Sequence, residues 1–143
     1  MTKKFNPTEL QEFLNKPRLA ILLYHGKRPA PIGVPVWFDW DGKTVHMFAG
    51  RTSAKVKQLQ NNPEISVLIT NDVGEPEGWV AFDGRAELSD FTSDSWQKLL
   101  DKVAPRYWDM SQDSLKTEID NWRTIPEAFI AISLTPSSIR SGS

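Results

Sequence analysis

The chain has 143 residues, of which 17 are Lys or Arg and 18 are Asp or Glu, and its pI is about 6.1. This near-neutral balance argues against a dominant nucleic-acid or membrane surface, although a small anion needs only a local cluster of cations. The chain has no cysteine, which excludes disulfides, thiolate catalysis and cysteine-ligated metal sites and fits a reducing compartment.

The length predicts one domain over residues 1–143. No stretch approaches the roughly 20 apolar residues of a membrane span, and the segment Met1–Pro7 is not followed by the apolar region of a signal peptide. We therefore expect a cytoplasmic protein without a membrane partner.

The first elements are a helix and a strand. Asn6, Pro7 and Glu9 give an N-cap, a proline in the first turn and a capping-box acid, and they predict a short amphipathic helix that ends before Pro17. The apolar run Arg18–Tyr24 is too short to favour a helix. It predicts a strand that is buried on both faces.

A strand with a proline in its middle follows. The segment Ile32–Trp40 contains Pro35, which has no N–H for a ladder, so we expect a sheet edge or a gap there that leaves backbone groups free for a ligand. The dipeptide Asp41-Gly42 predicts a hairpin that leads back through the strand Thr44–Ala49.

Cations surround the start of the next helix, which follows this strand after a short turn and ends at Pro63. A helix N-terminus carries partial positive charge and favours acids, so cations there are unfavourable unless an anion binds. Lysine runs are usually solvated, and Lys57 is the cation that best fits a surface role. In a strand–turn–helix context the cluster predicts a phosphate site. Its members are Arg51, Thr52, Ser53, Lys55 and Lys57.

The second half adds three strands and two helices. The predicted strands are Ile65–Thr70, Trp79–Leu88 with a bulge at Gly84, and Ala128–Leu134. One helical pattern carries Trp96, Leu99, Leu100 and Val103 and should stop at Pro105, and a weaker one carries Leu115, Ile119 and Trp122. A polar tail follows from Thr135. The whole predicts a mainly β protein, a six-stranded antiparallel barrel with peripheral helices.

The chain resembles the pyridoxamine 5′-phosphate oxidase-like split-barrel family over about residues 19–139. The resemblance rests on Pro35-Val36-Trp37-Phe38, Asp41-Gly42, Phe48, Thr52-Ser53-Ala54-Lys55, Leu59, Asn62-Pro63 and Gly84-Arg85-Ala86-Glu87. It implies a six-stranded split barrel, a homodimer, and FMN bound in the cleft between the subunits.

The resemblance also implies site residues. The positions matching those that hold the cofactor phosphate are Arg51, Thr52, Ser53 and Lys55. The strand along the isoalloxazine ring corresponds to Val34, Pro35, Val36 and Trp37, and Trp79 corresponds to a residue contributed by the partner subunit. The chain ends soon after Ser133–Arg140, without the long C-terminal segment that closes the substrate site of true pyridoxamine 5′-phosphate oxidase, so we expect flavin binding and not vitamin B6 oxidation.

The expected function is a flavin-dependent oxidoreductase that uses FMN and a small organic substrate. The segments Val103–Trp108 and Trp122-Arg123 resemble the branch that uses the deazaflavin F420, and the phosphate cluster does not separate the two cofactors. An F420-dependent reductase and a flavin- or haem-binding module without turnover therefore remain alternatives. No catalytic residue is predicted, because in such enzymes the cofactor carries the reaction.

Several prominent residues have simpler interpretations. Trp37, Phe38 and Trp40 fit barrel packing. Strand alternation leaves only Trp37, or the backbone on its side, to meet a ligand and places Phe38 and Trp40 on the other face. His25 and His46 lack further ligands at recognisable spacing, so no metal site is predicted. Hydrolase chemistry is not indicated either, because no Gly-x-Ser-x-Gly motif occurs. The tryptophans at positions 96 and 122 are interpreted as core or dimer contacts.

Overall fold

The computed structural model describes residues 3–143. Met1 and Thr2 lie outside the described residues, although the predicted domain and the segment Met1–Pro7 begin with them. The structure is mainly β. Its strands are β1 Ala20–Tyr24, β2 Ile32–Val36, β3 Asp39–Trp40, β4 Val45–Gly50, β5 Glu64–Thr70, β6 Trp79–Arg85, β7 Glu87–Asp90, β8 Phe129–Leu134 and β9 Ser138–Gly142. Its α-helices are α1 Pro7–Asn15, α2 Ala54–Asn61, α3 Ser93–Tyr107 and α4 Asp113–Arg123. The prediction of a single domain stays a prediction.

The strands form two antiparallel sheets. The larger sheet has the order β2-β1-β5-β6-β9, and the smaller has the order β3-β4-β8-β7. Residues that alternate along each strand point to opposite faces, and the inner faces of the two sheets share one core. The Trp40 ring of the smaller sheet stacks on the Phe82 ring of the larger one, with centroids 4.6 Å apart.

The helices cover different surfaces. Val56 and Leu59 of α2 belong to the core between the sheets. Helix α3 packs on the outer face of the smaller sheet, where its buried Trp96 ring lies 4.4 Å from the Phe129 ring and 5.2 Å from the Phe48 ring. None of the helices within residues 3–143 is long and apolar enough to cross a membrane.

The count of six strands is not confirmed, because residues 3–143 contain nine. The predicted strand Ile32–Trp40 divides after Val36, and the predicted strand Trp79–Leu88 divides at Ala86, whose N–H donates to the Pro63 carbonyl at 2.8 Å. The polar tail supplies the ninth strand, β9, which pairs with β6. A tail without apolar periodicity can still form an edge strand, because backbone groups alone make the ladder.

The prediction that the strand in Arg18–Tyr24 is buried on both faces is wrong for one face. Ala20, Leu22 and Tyr24 are buried, whereas Ile21 and Leu23 are only partly covered. The predicted bulge at Gly84 is also wrong, because this residue pairs in regular register with Ile65.

The predicted helix ends are partly correct. Helix α1 begins with the predicted capping box and ends before Pro17. Helix α3 continues past Pro105 to Tyr107, contrary to the prediction. The missing N–H of Pro105 falls in the last turns on an exposed face, where water can satisfy the freed carbonyl of the preceding turn.

Candidate functional site

A cavity of about 320 Å³ opens where β2, β4, α2 and α4 come together. This size lies at the lower end of the range of small-molecule pockets. Four of its lining residues were predicted as site residues, namely Pro35, Val36, Trp37 and Lys55. The other three are Leu19, Phe48 and Trp122.

Lys55 is the one charged residue of this lining and lies in the first turn of α2. Its side chain is partly buried, and burial lowers the pKa of its ammonium group from the ordinary value. Within residues 3–143 no carboxylate lies within ion-pair distance of the Lys55 amine. A partly desolvated cation without a counter-charge is unfavourable, and an anion in the cavity would compensate for it. Lys57 on the same helix is exposed.

Ser53 is the N-cap residue of α2, with extended backbone angles of φ −67° and ψ 149°. Its side chain makes no capping hydrogen bond, and its Oγ is buried without a hydrogen-bond partner among residues 3–143. Buried polar atoms are normally hydrogen-bonded, so this hydroxyl is an unused donor beside a helix N-terminus, although Ser53 does not line the cavity. Thr52, its neighbour in the turn, is exposed.

Arg51 lies in the same turn but makes contacts elsewhere. Its Nη2 donates to the Asp90 carboxylate at 2.6 Å, and its Nε donates to the Glu127 carbonyl at 2.7 Å. Both sides of the Arg51–Asp90 ion pair are substantially exposed, so the ion pair is weak and can be exchanged for another partner. The guanidinium does not line the cavity in this arrangement.

The strand β2 supplies a second wall of the cavity. It is the edge strand of the larger sheet, as the proline predicted, and Pro35 faces Ile21 of β1. The predicted alternation of burial continues beyond the end of β2, because Trp37 is half-buried while Phe38 and Trp40 are buried. That Trp37 meets a ligand stays a prediction. Val34 is partly buried in β2 and does not line the cavity.

The family model for pyridoxamine 5′-phosphate oxidase matches residues 7–139. The chain belongs to the pyridoxamine 5′-phosphate oxidase-like split-barrel family. No curated protein gave a significant match to the chain.

Solved structures show the same fold at low sequence identity. A FAD-binding protein from Mesorhizobium loti is 18% identical with a TM-score of 0.67, and the alignment covers 99% of this chain and 97% of that one. An F420 reductase is 17% identical with a TM-score of 0.66 and coverage of 91% and 94%. The heme storage protein HutZ from Vibrio cholerae is 16% identical with a TM-score of 0.71 and coverage of 94% and 93%.

Trp79 lies apart from the cavity of this family member. It begins β6, where it pairs with Thr70 and Gly142, and it is not among the cavity-lining residues. Register places Trp79 on the outer face of the larger sheet, because the adjacent Val80 is buried on the inner face.

Three lining residues were not predicted as site residues. Leu19, immediately before β1, is 52% exposed, Phe48 is an outward-facing residue of β4, and Trp122 is the residue that the sequence assigns to a core or dimer contact. The alternation of apolar residues around Phe48 could have predicted that its ring lies on the same side as Trp37. No sequence signal predicts that α4 lies beside β2.

An aromatic cluster continues the wall behind the cavity. Tyr107 stacks on Trp37 with centroids 5.1 Å apart and an interplanar angle of 11°, and Trp108 meets the same indole edge-on at 5.0 Å. The Tyr107 hydroxyl donates to the Arg18 carbonyl at 2.6 Å and accepts from the Phe38 N–H at 3.3 Å. Burial raises the pKa of this phenol, which keeps it protonated as a donor. The face of Trp37 that Tyr107 covers is therefore closed to a ligand.

The histidine of the hairpin forms a pair outside this cavity. His46 Nε2 lies 2.7 Å from Asp41 Oδ2. Burial opposes ionisation of Asp41, but hydrogen bonds from His46 and from the Thr44 and Lys43 N–H groups prevail and lower the pKa of its carboxyl to about 2. Residues 3–143 hold no group of three His, Asp or Glu residues arranged to bind a metal ion.

Proposed function

We propose that this chain is an FMN-binding oxidoreductase that acts on a small organic substrate. The observation that carries the proposal is Lys55, a partly buried cation without a carboxylate partner among residues 3–143, which shares a cavity with Pro35 and Trp37. A phosphate at α2 and a planar ring along β2 would use both features at once. Bound FMN would supply the hydride or electron chemistry, and the chain would supply binding and orientation.

The phosphate would be held by the turn before α2. Lys55 would neutralise its charge, and the Ser53 hydroxyl would donate a hydrogen bond to it after turning from its buried position toward the cavity. Thr52 and the first N–H groups of the helix would offer further donors. Arg51 would join after leaving Asp90, an exchange that costs little because the present pair is exposed.

A second copy of the chain would complete the site. The outer face of the larger sheet carries apolar side chains that are exposed or only partly covered, and an apolar patch of this kind is typical of an interface. Its members are Leu19, which immediately precedes β1, and Ile21, Leu23, Pro35 and Leu68 on β1, β2 and β5. Leu19 and Pro35 also line the cavity, so a partner on this face would cover the cavity entrance. Trp79 lies on the same face, which suits a residue contributed by the partner subunit.

An F420-dependent reductase is the second candidate, favoured by the fold shared with an F420 reductase. A haem-binding module ranks lower. The described lining of the cavity includes no His, Met or Tyr, and haem iron is usually held by such a ligand.

The experiment is a titration of the purified protein with FMN, F420 and hemin, followed by absorbance, with Lys55→Ala beside Lys57→Ala. We expect FMN to bind at one per chain. Lys55→Ala should weaken FMN binding about tenfold to a hundredfold, because a hydrogen bond to a charged group is worth about 1.5–3 kcal/mol. The exposed Lys57→Ala variant should bind normally.

The double variant Arg51→Ala/Lys55→Ala should bind more weakly still while its circular dichroism stays native. Oxidation of NADPH or reduced F420 by the loaded protein then separates an enzyme from a carrier. A protein that binds hemin or F420 but not FMN, or a Lys55→Ala variant with unchanged FMN affinity, would overturn the proposal.

A further inference from the structure

One wall of the cavity comes from the segment between β7 and β8. Trp122, the last residue but one of α4, lines the cavity together with Trp37 and Phe48. Its ring centroid lies 6.0 Å from that of Trp37 and 6.2 Å from that of Phe48. The indole is only partly buried, so part of its surface faces the cavity.

The end of α4 is held in place by side chains of α3. The indole N–H of the fully buried Trp96 donates to the Trp122 carbonyl at 2.7 Å, and Gln97 Nε2 donates to the Arg123 carbonyl at 2.8 Å. Arg123 in turn pairs with Asp101 at 2.8 Å. The last carbonyls of a helix normally lack partners, so these bonds fix the turn that carries the indole before any ligand arrives.

The cavity has two chemically different parts. Lys55 provides its charge, whereas the remaining lining side chains are hydrocarbon or aromatic, and no acidic residue of the described chain lines the cavity. A charged group away from Lys55 would find no counter-charge in this lining, so any hydration that it lost on binding would go uncompensated. Aromatic walls favour flat conjugated rings, which they meet by offset stacking or edge-to-face contact.

We propose that Trp122 contacts the ring of the bound ligand, so that the α3–α4 segment selects a planar, uncharged, conjugated ring while Lys55 selects the phosphate. This inference rests on the proposed function, since it concerns the same cavity. It goes beyond that function by dividing recognition into two independent halves. The two halves have different consequences for a ligand that has the ring but lacks the phosphate.

The test compares FMN with riboflavin, which carries the same ring without a phosphate. Affinities are measured for the wild type, Trp122→Leu, Lys55→Ala and Trp108→Leu by titration calorimetry and by quenching of flavin fluorescence. Trp108 is the matched control, because its ring packs against Trp37 at 5.0 Å and Trp122 at 5.4 Å but does not line the cavity.

Trp122→Leu should weaken FMN and riboflavin by the same factor, about threefold to tenfold, and should make the bound flavin more fluorescent. Lys55→Ala should weaken FMN and leave riboflavin within about twofold of the wild type. Trp108→Leu should leave the affinities for both ligands within about twofold of the wild type. Trp122→Phe retains a ring and tests the same contact if the leucine variant does not fold. Its affinities should lie between those of the wild type and Trp122→Leu.

Equal losses in the tryptophan variants at positions 122 and 108 would mean a merely structural role and would overturn the inference. An unchanged riboflavin affinity in Trp122→Leu and Trp122→Phe would also overturn the inference. The proposed function would still hold in that case if FMN binding depended on Lys55. A wild type that binds neither FMN nor riboflavin overturns both.

Discussion

Arg51 and Asp90 form an ion pair across the turn before α2, with Nη2 and Oδ1 2.6 Å apart. The pair joins the end of β4 to the end of β7 and holds the guanidinium away from the cavity that Lys55 lines. Asp90 therefore competes with any anion for Arg51.

Asp90→Asn should strengthen FMN binding about twofold to fivefold, because it frees Arg51 from an exposed ion pair worth up to about 1 kcal/mol. Asp94→Asn is the control, since it removes an exposed acid that pairs with Lys98 on α3. The competition is absent if both variants change the FMN dissociation constant equally or if Asp90→Asn weakens binding.

Tyr107→Phe should lower the free energy of unfolding by about 1–3 kcal/mol, because it leaves the Arg18 carbonyl and the Phe38 N–H without the hydroxyl between them. Stacking on Trp37 is kept, which separates the hydrogen bonds from the ring contact. Tyr24→Phe removes a hydroxyl without a hydrogen bond in the described chain and should change the urea midpoint little. Equal midpoints for the two variants would contradict the assignment.

The pH dependence of stability should report the pairing of Glu75 with Arg18. Arg18 is almost fully buried, and its two terminal nitrogens donate to the Glu75 carboxylate, one of them at 3.0 Å. The Arg18 hydrogen bonds, helped by the Asp72 N–H, lower the pKa of Glu75 from 4.5 to about 2. A lowered pKa in the folded state gives stability that is fully present above pH 4.5 and is lost as the pH falls toward 2.

Glu75→Gln should therefore melt below the wild type at pH 7, and the difference should shrink as the pH is lowered through that window. Glu77→Gln, an exposed acid of the same loop without a described partner, should show no such convergence. The measurement is the melting temperature by circular dichroism between pH 7 and pH 2.5. A difference in melting temperature between the wild type and Glu75→Gln that stays constant over this range would refute the linkage.

Leu68→Arg should convert the proposed dimer into monomers, since it places a charge opposite Ile21 on the apolar outer face of the larger sheet. Val73→Arg is the matched control, because Val73 is fully exposed in a loop. Light scattering after size exclusion gives the mass of each variant. A dimeric Leu68→Arg protein would place the interface elsewhere, and a monomeric wild type would contradict the proposed dimer.

Gly84→Ala should destabilise the fold by about 1–3 kcal/mol through overpacking. A Cβ at position 84 would lie 2.8 Å from Leu134 Cδ1 and 3.4 Å from the Ser137 backbone nitrogen. Gly50→Ala should be close to neutral in stability, because nothing lies within 4 Å of its Cβ position. Equal urea midpoints for the two variants would show that the Leu134 side chain and the chain between β8 and β9 can shift to make room.

The sequence by itself determined the family, the mainly β composition and most elements. Local signals sufficed for these features. The capping box at Asn6 requires only residues that are neighbours in the chain, the turn at Gly42 requires only a residue that tolerates φ of 95°, and Pro35 marked an edge strand because its missing N–H is a local fact.

Only the tertiary structure decided which residues share the cavity. Lys55 and Trp122 are 67 positions apart, and no periodicity records that α4 ends beside β2. It also decided that Arg51 contacts Asp90 while Lys55 keeps no carboxylate partner in the described chain. Such pairings depend on how strands and helices are brought together by burial of their apolar faces, and burial selects a face of each element without naming the residue that it will meet.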